Sequence, residues 1–379
     1  MTKKICFITT VSYTMDAFIL KFAQYLKETE NYDITLMCNP DPIFEAKIPS
    51  NIRFVPMVVK RGLDFNLFSN IYKYYKFFKK EKFDLIQYCT PNATLYSSIG
   101  GKLAGIKNRL YCQWGIYYAG QKGLKRLVFK ITEKISCMNS TLIEPDSKSN
   151  MYFSIKEGLY SSKKSRVIGS GSSRGVDLEV FDYKKREEYS AEVRKQLGLK
   201  NEFIFGYLGR LNKDKGLSEL LMAFKELDIN AKLLLVGPSE SIDEIDKDLY
   251  EWSKNNENVY YLPSTDEPYK FFSAFNVNVL PSYREGMPSA MLEAMAMKTL
   301  VLATDINGIN DVIKNNENGI LVKVRDYLDL KEKMLYSFEN FKNLNNLKEN
   351  AYNLIIEEFD QKKVFELTRK DRKKILNDK

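Results

Sequence analysis

The chain has 379 residues, a length typical of two domains and too great for a single small binding module. Hydrophobic residues make up 44% and charged residues 28%, which excludes a disordered, collagenous or low-complexity chain. The net charge of +9 is uneven: residues 1–180 carry 27 basic and 15 acidic side chains (+12), and residues 181–379 carry 31 and 34 (−3). A basic first half is compatible with phosphorylated substrates, an anionic lipid surface or nucleic acid.

Apolar runs in the first half predict β-strands that alternate with helices. The predicted strands are 4–8, 32–37, 51–55, 85–88, 109–113 and 141–143. The longest apolar runs fall far short of the ~20 residues of a membrane-spanning helix. The N-terminal run is short and lacks the cleavage site of a signal peptide, so we interpret it as the first core strand.

The second half repeats this alternation. Its predicted strands are 203–207, 232–236, 259–262, 277–280, 300–303 and 320–323. Between the first two of them, one buried helix face is indicated by the spacing of Leu217, Leu220, Leu221, Phe224 and Leu227. Strand–helix repetition with continuously apolar strands predicts an α/β fold of two doubly wound, Rossmann-like domains in tandem.

The domain boundary is predicted where the glycine- and serine-rich segment Gly169–Gly175 leads into a charged stretch. We predict an N-terminal domain over 1–176, a second domain over 177–358 and a C-terminal helix over 359–379 that packs back towards the first domain. This helix is strongly basic. We expect its cations to be solvated, namely Arg369, Lys370, Arg372, Lys373 and Lys374.

Two compositional features restrict the chemistry. The sequence contains no histidine, which excludes Ser-His-Asp triads, Cys-His pairs and histidine-containing metal sites. Its five cysteines lie in the first 137 residues without the two-residue spacing of zinc or redox pairs. We expect Cys6, Cys38, Cys89, Cys112 and Cys137 to be buried, reduced thiols of a cytoplasmic protein.

The first motif follows the predicted strand 203–207. Gly209, Arg210 and Lys215 lie in the segment that joins this strand to the next helix. A glycine there lets the backbone approach a phosphate, arginine offers a bidentate fork and lysine a point charge. The pattern favours a diphosphate ligand, and an ordinary polar loop is the alternative.

The second motif follows the predicted strand 277–280. Pro288 and Ser289 suit the start of a helix, so Glu285 and Gly286 are expected in the preceding loop and Glu293 inside the helix. The neighbours of Glu293 are small or apolar, so its carboxylate is expected to be mostly buried and to need a partner. Glu285 and Glu293 are therefore expected to contact different atoms of a ligand and not to act together as the carboxylate pair of a glycosidase.

These two segments resemble the family-four glycosyltransferases of the GT-B fold. The resemblance lies in G-R-L-x-x-x-K-G at 209–216 and E-G-x-P-x-x-x-L-E-A-M-A at 285–296. Further matching segments follow the family's order at 83–86, 90–91, 114–115, 171–177, 304–308 and 317–322. The resemblance covers essentially the whole chain and implies two Rossmann-like domains facing each other across a cleft.

The resemblance also implies roles for the motif residues. Arg210 and Lys215 would neutralise the diphosphate of a nucleotide sugar, Glu293 would hold the ribose hydroxyls, and Glu285 would reach the transferred sugar. The sugar and phosphate would be supported by backbone N–H groups around Gly286, Met287, Pro288 and Ser289. The family retains the anomeric configuration and uses no metal and no cofactor besides the nucleotide sugar.

The first half departs from the family. Many relatives carry histidines at a strand end and in a turn over the donor sugar, where this chain has Gln87, Cys89 and Trp114. Trp114, followed by Gly115, is interpreted either as stacking on a sugar face or as a packed core aromatic.

The segment Gly169–Gly175 also imitates a dinucleotide fingerprint after an apolar run at 166–168, which we interpret as a strand. No helix pattern follows it, so we reject NAD binding. The resemblance implies instead that Ser172 and Ser173 meet the donor or the acceptor.

The sequence thus predicts a glycosyltransferase that moves a sugar from a nucleotide sugar, with a UDP-sugar favoured, to a lipid-linked or oligosaccharide acceptor of a bacterial surface polysaccharide. A nucleotide-sugar epimerase of the same fold and an inactive sugar-binding relative stay open as alternatives. No nucleic-acid partner is expected. Basic segments at 72–80 and 122–135, the latter with an apolar stripe at Leu124, Val128, Ile131 and Ile135, predict peripheral binding to the inner face of the plasma membrane.

Overall fold

The chain forms two compact units in the computed structural model, which describes residues 2–60, 62, 66–240 and 244–377. One unit comprises residues 1–174 and 363–379, and the other comprises residues 175–362. The division after residue 174 lies two residues before the boundary expected from the sequence. The C-terminal segment joins the first unit from residue 363, four residues later than the expected 359.

The first unit is a six-stranded parallel sheet with the strand order β3-β2-β1-β4-β5-β6. Its strands are β1 (Lys4–Ile8), β2 (Asp33–Cys38), β3 (Arg53–Pro56), β4 (Leu85–Tyr88), β5 (Asn108–Gln113) and β6 (Leu142–Pro145). Its helices are α1 (Ser12–Met15), α2 (Lys21–Glu30), α3 (Pro42–Glu45), α4 (Leu67–Glu81), α5 (Pro91–Leu103), α6 (Gly123–Asn139) and α7 (Lys148–Lys156). A π-helical turn over Asp16–Leu20 joins α1 to α2.

The second unit repeats this architecture with the strand order β12-β11-β10-β7-β8-β9. Its strands are β7 (Phe203–Leu208), β8 (Ala231–Val236), β9 (Val259–Leu262), β10 (Val277–Leu280), β11 (Leu300–Thr304) and β12 (Ile320–Val322). Its helices are α8 (Arg186–Leu197), α9 (Leu217–Lys225), α10 (Lys247–Asn255), α11 (Pro268–Ala274), α12 (Ser289–Ala296), α13 (Tyr327–Glu339) and α14 (Asn345–Leu354). A final helix, α15 (Gln361–Asn377), leads back to the first unit.

The predicted fold class is confirmed, because both sheets are parallel and have helices on both sides. Strands covered on both faces bury consecutive side chains, and Leu233, Leu234, Leu235 and Val236 of β8 are all inaccessible to solvent. All five cysteines are free and buried, as expected. Burial without a cationic neighbour raises the pKa of Cys89 well above its ordinary value, which is typical of an inert structural thiol.

Three local predictions are wrong. Residues 166–168 do not form a strand, and only an isolated bridge joins Ser165 to Ile143 of β6. Helix α9 buries four of the five predicted apolar positions but ends at Lys225, so Leu227 lies beyond it. The C-terminal helix begins at Gln361 because a π-helical turn over Ile355–Phe359 and an extended Asp360 precede it. Residues 378 and 379 of that predicted segment lie outside the described residues.

The expected solvation of the C-terminal helix is also wrong for one cation. Arg372 is fully buried, and its guanidinium binds both carboxylate oxygens of Glu144 on β6, at 2.5 and 2.7 Å. It also donates to Asp371, at 2.8 Å, and to Gln87 of β4, at 2.9 Å. Burial opposes the charge of Arg372, but the two carboxylates outweigh this effect and raise its pKa. Helix α15 is thereby fixed to the first sheet.

Candidate active site

The strand order of the second unit places the predicted motifs at its topological switch point. The first strand of this unit, β7, lies between β8 and β10. The strands β8 and β9 extend the sheet on one side of β7, and β10, β11 and β12 extend it on the other. In doubly wound sheets, ligands bind outside the carboxyl ends of the strands at such a point. The loops that follow β7 and β10 carry residues 209–216 and 281–288, which are the two motifs identified from the sequence.

The loop after β7 begins with a close backbone approach. Gly209 donates its N–H to the carbonyl of Val236 at 2.9 Å, and a side chain at Gly237 would lie 2.0 Å from the Gly209 carbonyl oxygen. The buried Tyr207 hydroxyl donates to the Arg210 carbonyl at 2.9 Å. The Arg210 guanidinium is half-exposed and pairs with Glu240 at 3.0 Å. The structure thus fixes the Arg210 backbone and leaves its cation at the surface of the loop.

Lys215 lies in the tight turn that precedes α9. The Asn212 side chain accepts a hydrogen bond from the Lys215 N–H at 3.1 Å, and Gly216 adopts a φ of +73°. A Cβ atom at Gly216 would lie 2.1 Å from the Pro281 carbonyl oxygen, so the turn packs directly against the loop that follows β10. Glycine is required here by both its conformation and this contact.

Lys215 and Glu285 meet in an ion pair between these two loops. The Lys215 Nζ atom lies 2.5 Å from Glu285 Oε1, and the two side chains are 19% and 12% exposed. A cation and a carboxylate that are 70 positions apart therefore share one partly desolvated position at the switch point. At such burial the pair is screened less by solvent and salt than a surface pair.

Two further contacts hold the same loops together. The Asp214 carbonyl accepts from the Tyr283 N–H at 2.9 Å, and the Asp214 carboxylate accepts from Arg284 at 2.9 Å. The Tyr283 hydroxyl donates to the buried Glu219 carboxylate, with 2.7 and 2.8 Å to its oxygens. Burial and the Glu219 charge raise the pKa of Tyr283, so this hydroxyl stays protonated as a donor. The Arg325 guanidinium covers the Tyr283 ring at 4.5 Å.

Helix α12 begins where the sequence predicts. Its first residue is Ser289, and Pro288 is extended at the N-cap. Glu293 lies inside the helix and is buried, in agreement with the expectation from its apolar neighbours. The Met287 side chain is part of the hydrophobic core, so only its backbone is positioned to serve a ligand. A Cβ atom at Gly308 would lie 1.4 Å from the Gly286 carbonyl oxygen. Only a glycine at position 308 therefore lets the loop before α12 follow its observed path.

The candidate residues of the first unit are Trp114, Gly115, Ser172 and Ser173. Trp114 follows β5, is half-buried and packs against Phe18 with 5.5 Å between ring centroids. The Arg174 guanidinium covers the same ring at 5.3 Å. Ser172 adopts a φ of +72° and donates its N–H to the Asp146 carbonyl at 2.8 Å, and Ser173 beside it is half-buried. Trp114 thus has a core contact and a partly accessible face, and Gly115 after it has a φ of +88°.

The positions that lack the family's histidines have structural contacts. The buried Gln87 amide accepts from Arg372 at 2.9 Å, so it fastens α15. Cys89 is buried in the core. At the end of β4, the Thr90 hydroxyl instead lies 2.8 Å from that of Thr10 after β1.

Several site residues were not singled out from the sequence. They are Asp214, Glu219, Gly237, Glu240, Tyr283, Arg284, Gly308 and Arg325. A glycine directly after β8 is a usable signal for Gly237, because close backbone approach occurs at strand ends. In the part of the chain that the structure describes, no three Cys, Asp or Glu side chains come together as a potential metal site. No described helix is long and apolar enough to cross a membrane.

Comparisons with known proteins assign the chain. Residues 190–354 match the family described as glycosyl transferases group 1, and residues 4–147 match the family described as glycosyl transferase 4-like. The chain is 33% identical over 285 residues to the capsular polysaccharide biosynthesis glycosyltransferase CapM of Staphylococcus aureus. The aligned region covers 73% of this chain and 74% of CapM. The chain belongs to the group 1 glycosyltransferases. It is a glycosyltransferase, as the motifs predicted.

Other similarities extend over more of the chain. An Escherichia coli UDP-Gal:alpha-D-GlcNAc-diphosphoundecaprenol alpha-1,3-galactosyltransferase is 28% identical over 345 residues, 88% of this chain and 87% of that protein. The crystal structure of Anabaena HepE with UDP and glucose superposes with a TM-score of 0.82 at 17% identity, covering 98% and 99% of the two chains. This structural similarity confirms the GT-B fold.

Proposed function

We propose that this glycosyltransferase moves a sugar, with retention of anomeric configuration and without a metal, from a UDP-sugar to a lipid-diphosphate-linked acceptor. The observation that carries the proposal is the meeting of Lys215 and Glu285 at the switch point of the second unit, 2.5 Å apart. A cation and a carboxylate at that position match the two sides of the bond that breaks during transfer, the diphosphate and the anomeric carbon of the sugar, where charge changes.

The chemistry needs a stabilised leaving group more than a strong base. Transfer breaks the bond between the anomeric carbon and the diphosphate oxygen, a bond from that carbon to the acceptor oxygen replaces it, and the acceptor's hydroxyl proton passes to the departing diphosphate. Negative charge then develops on the nucleoside diphosphate. The held cation of Lys215 and the surface cation of Arg210 stabilise that charge, and the N–H groups at the start of α12 add favourable dipoles.

The two glutamates are assigned different parts of the donor. Glu285 lies in the loop beside Lys215, so a sugar attached to a diphosphate held by Lys215 would be within reach of its carboxylate. Glu293 is buried one to two turns inside α12, where a carboxylate is suited to accept hydrogen bonds from ribose hydroxyls. Gly209 and Gly286 lie in the same two loops and Ser289 begins α12, and we assign the backbone of these three residues to the phosphates.

The proposed donor and acceptor rest on the relatives' described substrates. The E. coli relative uses UDP-Gal and a diphosphoundecaprenol-linked acceptor, as its name states. A Campylobacter jejuni relative, 26% identical over 237 residues, is likewise named for a diphospho-undecaprenol-linked acceptor. We place this chain in capsule or related surface-polysaccharide synthesis, at the inner face of the plasma membrane. The polyprenyl chain of such an acceptor is held in a bilayer.

The proposal is tested with purified protein and a panel of nucleotide sugars. We expect UDP-sugars to raise the melting temperature in a concentration-dependent way, since ligands that bind the native state stabilise it by mass action. Product formation is then measured with a polyprenyl-diphosphate-linked sugar and without any acceptor. Interconversion of the nucleotide sugar without acceptor would identify an epimerase, and binding without turnover on any acceptor would identify an inactive relative.

A further inference from the structure

Helix α6 presents an apolar stripe to solvent. Leu124, Leu127, Ile131, Ile135 and Met138 recur every three or four positions and so lie on one helix face. All five are exposed, Leu124 to 76%. In the described part of the chain, no other helix carries more than two exposed large apolar side chains. Single exposed apolar residues are common on protein surfaces, but a contiguous exposed apolar patch marks an interaction site.

The stripe differs from the one expected from the sequence. Val128 is half-buried, and Leu127 and Met138 are exposed in its place. The segment 72–80 contributes less apolar surface than expected, because Tyr74 and Phe78 of α4 are core residues and Tyr72 alone among its five aromatic side chains is exposed.

The opposite face of α6 is anchored in the first unit. Ser136 and Cys137 are buried. Glu133, the single acidic residue of α6, accepts hydrogen bonds from Tyr111 at 2.8 Å and from Gln113 at 2.5 Å. This acid therefore points into the domain. The solvent-facing side of the helix carries apolar and basic residues without a carboxylate of its own.

The cations around the stripe fall into two groups. Arg126 and Lys130 pair with Glu157 of the segment after α7, at 3.2 and 2.8 Å, so part of their charge is neutralised. Lys122 and Lys125, at the start of the helix, are exposed. They lie in a half of the chain whose net charge is +12, counted over residues 1–180. An apolar stripe bordered by lysines is complementary to the acyl chains and phosphates of an anionic bilayer.

We infer that the exposed face of α6 is the membrane-docking surface of this enzyme and that it lies in the interface of an anionic phospholipid bilayer. The inference rests on the proposed function, because a polyprenyl-linked acceptor has to be met at a membrane. Helix α6 follows the carboxyl end of β5, where Trp114 is located. A second copy of the chain is the less favourable occupant, since a symmetric pairing of this face would bring its own lysines together.

The test measures sedimentation of the full-length enzyme with vesicles of phosphatidylglycerol and phosphatidylcholine. Leu127→Gln/Ile131→Gln removes two apolar side chains that are 53% and 50% exposed, and Leu328→Gln/Ile356→Gln in the second unit is the matched control at 57% and 42%. We expect the α6 variant to bind vesicles at least about tenfold more weakly and the control to bind like wild type. Equal binding by both variants would overturn the assignment.

A charge variant tests the electrostatic part. Lys122→Gln/Lys125→Gln is expected to reduce vesicle binding about 30-fold at low salt, and less at high salt, with Lys184→Gln/Lys185→Gln as the control. UDP binding is measured on the same preparations. Loss of vesicle binding with intact UDP binding supports the docking surface. Wild-type protein that binds UDP but not anionic vesicles contradicts it, whereas failure to bind any nucleotide contradicts the proposed function.

Self-association is measured by light scattering. A wild-type dimer that Leu127→Gln/Ile131→Gln converts to a monomer would show that a second copy covers the stripe, and it would overturn the membrane assignment. If both the wild type and the variant are monomers, the membrane assignment is supported.

Discussion

The Lys215 ammonium and the Glu285 carboxylate form an ion pair, with 2.5 Å between Nζ and Oε1. A diphosphate that takes Lys215 as its counter-ion has to separate this pair. The carboxylate is then released next to the place where the donor sugar is expected. Donor binding and the freeing of Glu285 would thus be coupled through one lysine.

Lys215→Ala is expected to weaken binding of UDP about tenfold to a hundredfold, because a hydrogen bond to a charged group contributes about 1.5–3 kcal/mol. Lys213→Ala is the matched control, since Lys213 lies in the same turn but is exposed. Titration calorimetry with UDP checks both variants. Equal affinity of wild type and Lys215→Ala would refute the diphosphate assignment.

Glu285→Gln is expected to separate binding from turnover. The variant keeps the shape of the side chain but frees Lys215 from its carboxylate, so UDP should bind about fivefold more tightly, from about 1 kcal/mol for the lost ion pair. Turnover should fall about 100-fold, because a contact to the transferred sugar in the transition state is lost. Steady-state kinetics and UDP titration on one preparation measure both effects. Weaker UDP binding together with unchanged kcat would contradict this assignment.

The fold could be predicted because its signals are local. Buried parallel strands leave continuous apolar runs, and Pro288 before Ser289 marks the start of α12. The pairing of Lys215 with Glu285 could not be predicted from the residues alone. It depends on β7 and β10 being neighbours, which is a property of the strand order.

The burial of Arg372 could not be predicted for a related reason. An arginine among lysines on a basic helix has the local pattern of a solvated side chain, and its partner Glu144 is 228 positions away. The exposure of the α6 stripe was partly predictable from helical spacing. Its exact members depend on how α6 is rotated against the sheet.

Arg372→Met is expected to destabilise the first unit by about 3–5 kcal/mol, because it leaves the mostly buried Glu144 without its counter-ion, whereas Asp371 keeps a second one, Arg166 at 2.6 Å. Adding Glu144→Leu should recover part of this loss, since both members of the main pair are then replaced by apolar side chains. Lys374→Met on the exposed side of the same helix is the control, with a change within about 0.5 kcal/mol. Urea unfolding followed by circular dichroism measures all three. A double variant less stable than Arg372→Met would contradict this account.

Gly216→Ala tests the contact between the two site loops. Gly216 and Gly198 have nearly the same backbone conformation, with φ of +73° and +68°, but they differ in their surroundings. A Cβ atom at Gly216 would lie 2.1 Å from the Pro281 carbonyl oxygen, whereas one at Gly198 would meet nothing within 4 Å. Gly198→Ala should therefore cost only the backbone strain of about 1 kcal/mol, and Gly216→Ala about 2–4 kcal/mol. Because the displaced turn carries Lys215, Gly216→Ala should also weaken UDP binding, and Gly198→Ala should not. Urea unfolding and UDP titration of the two variants decide the matter: equal losses of stability with unchanged UDP affinity would mean that the close approach of the two loops does not position the cation.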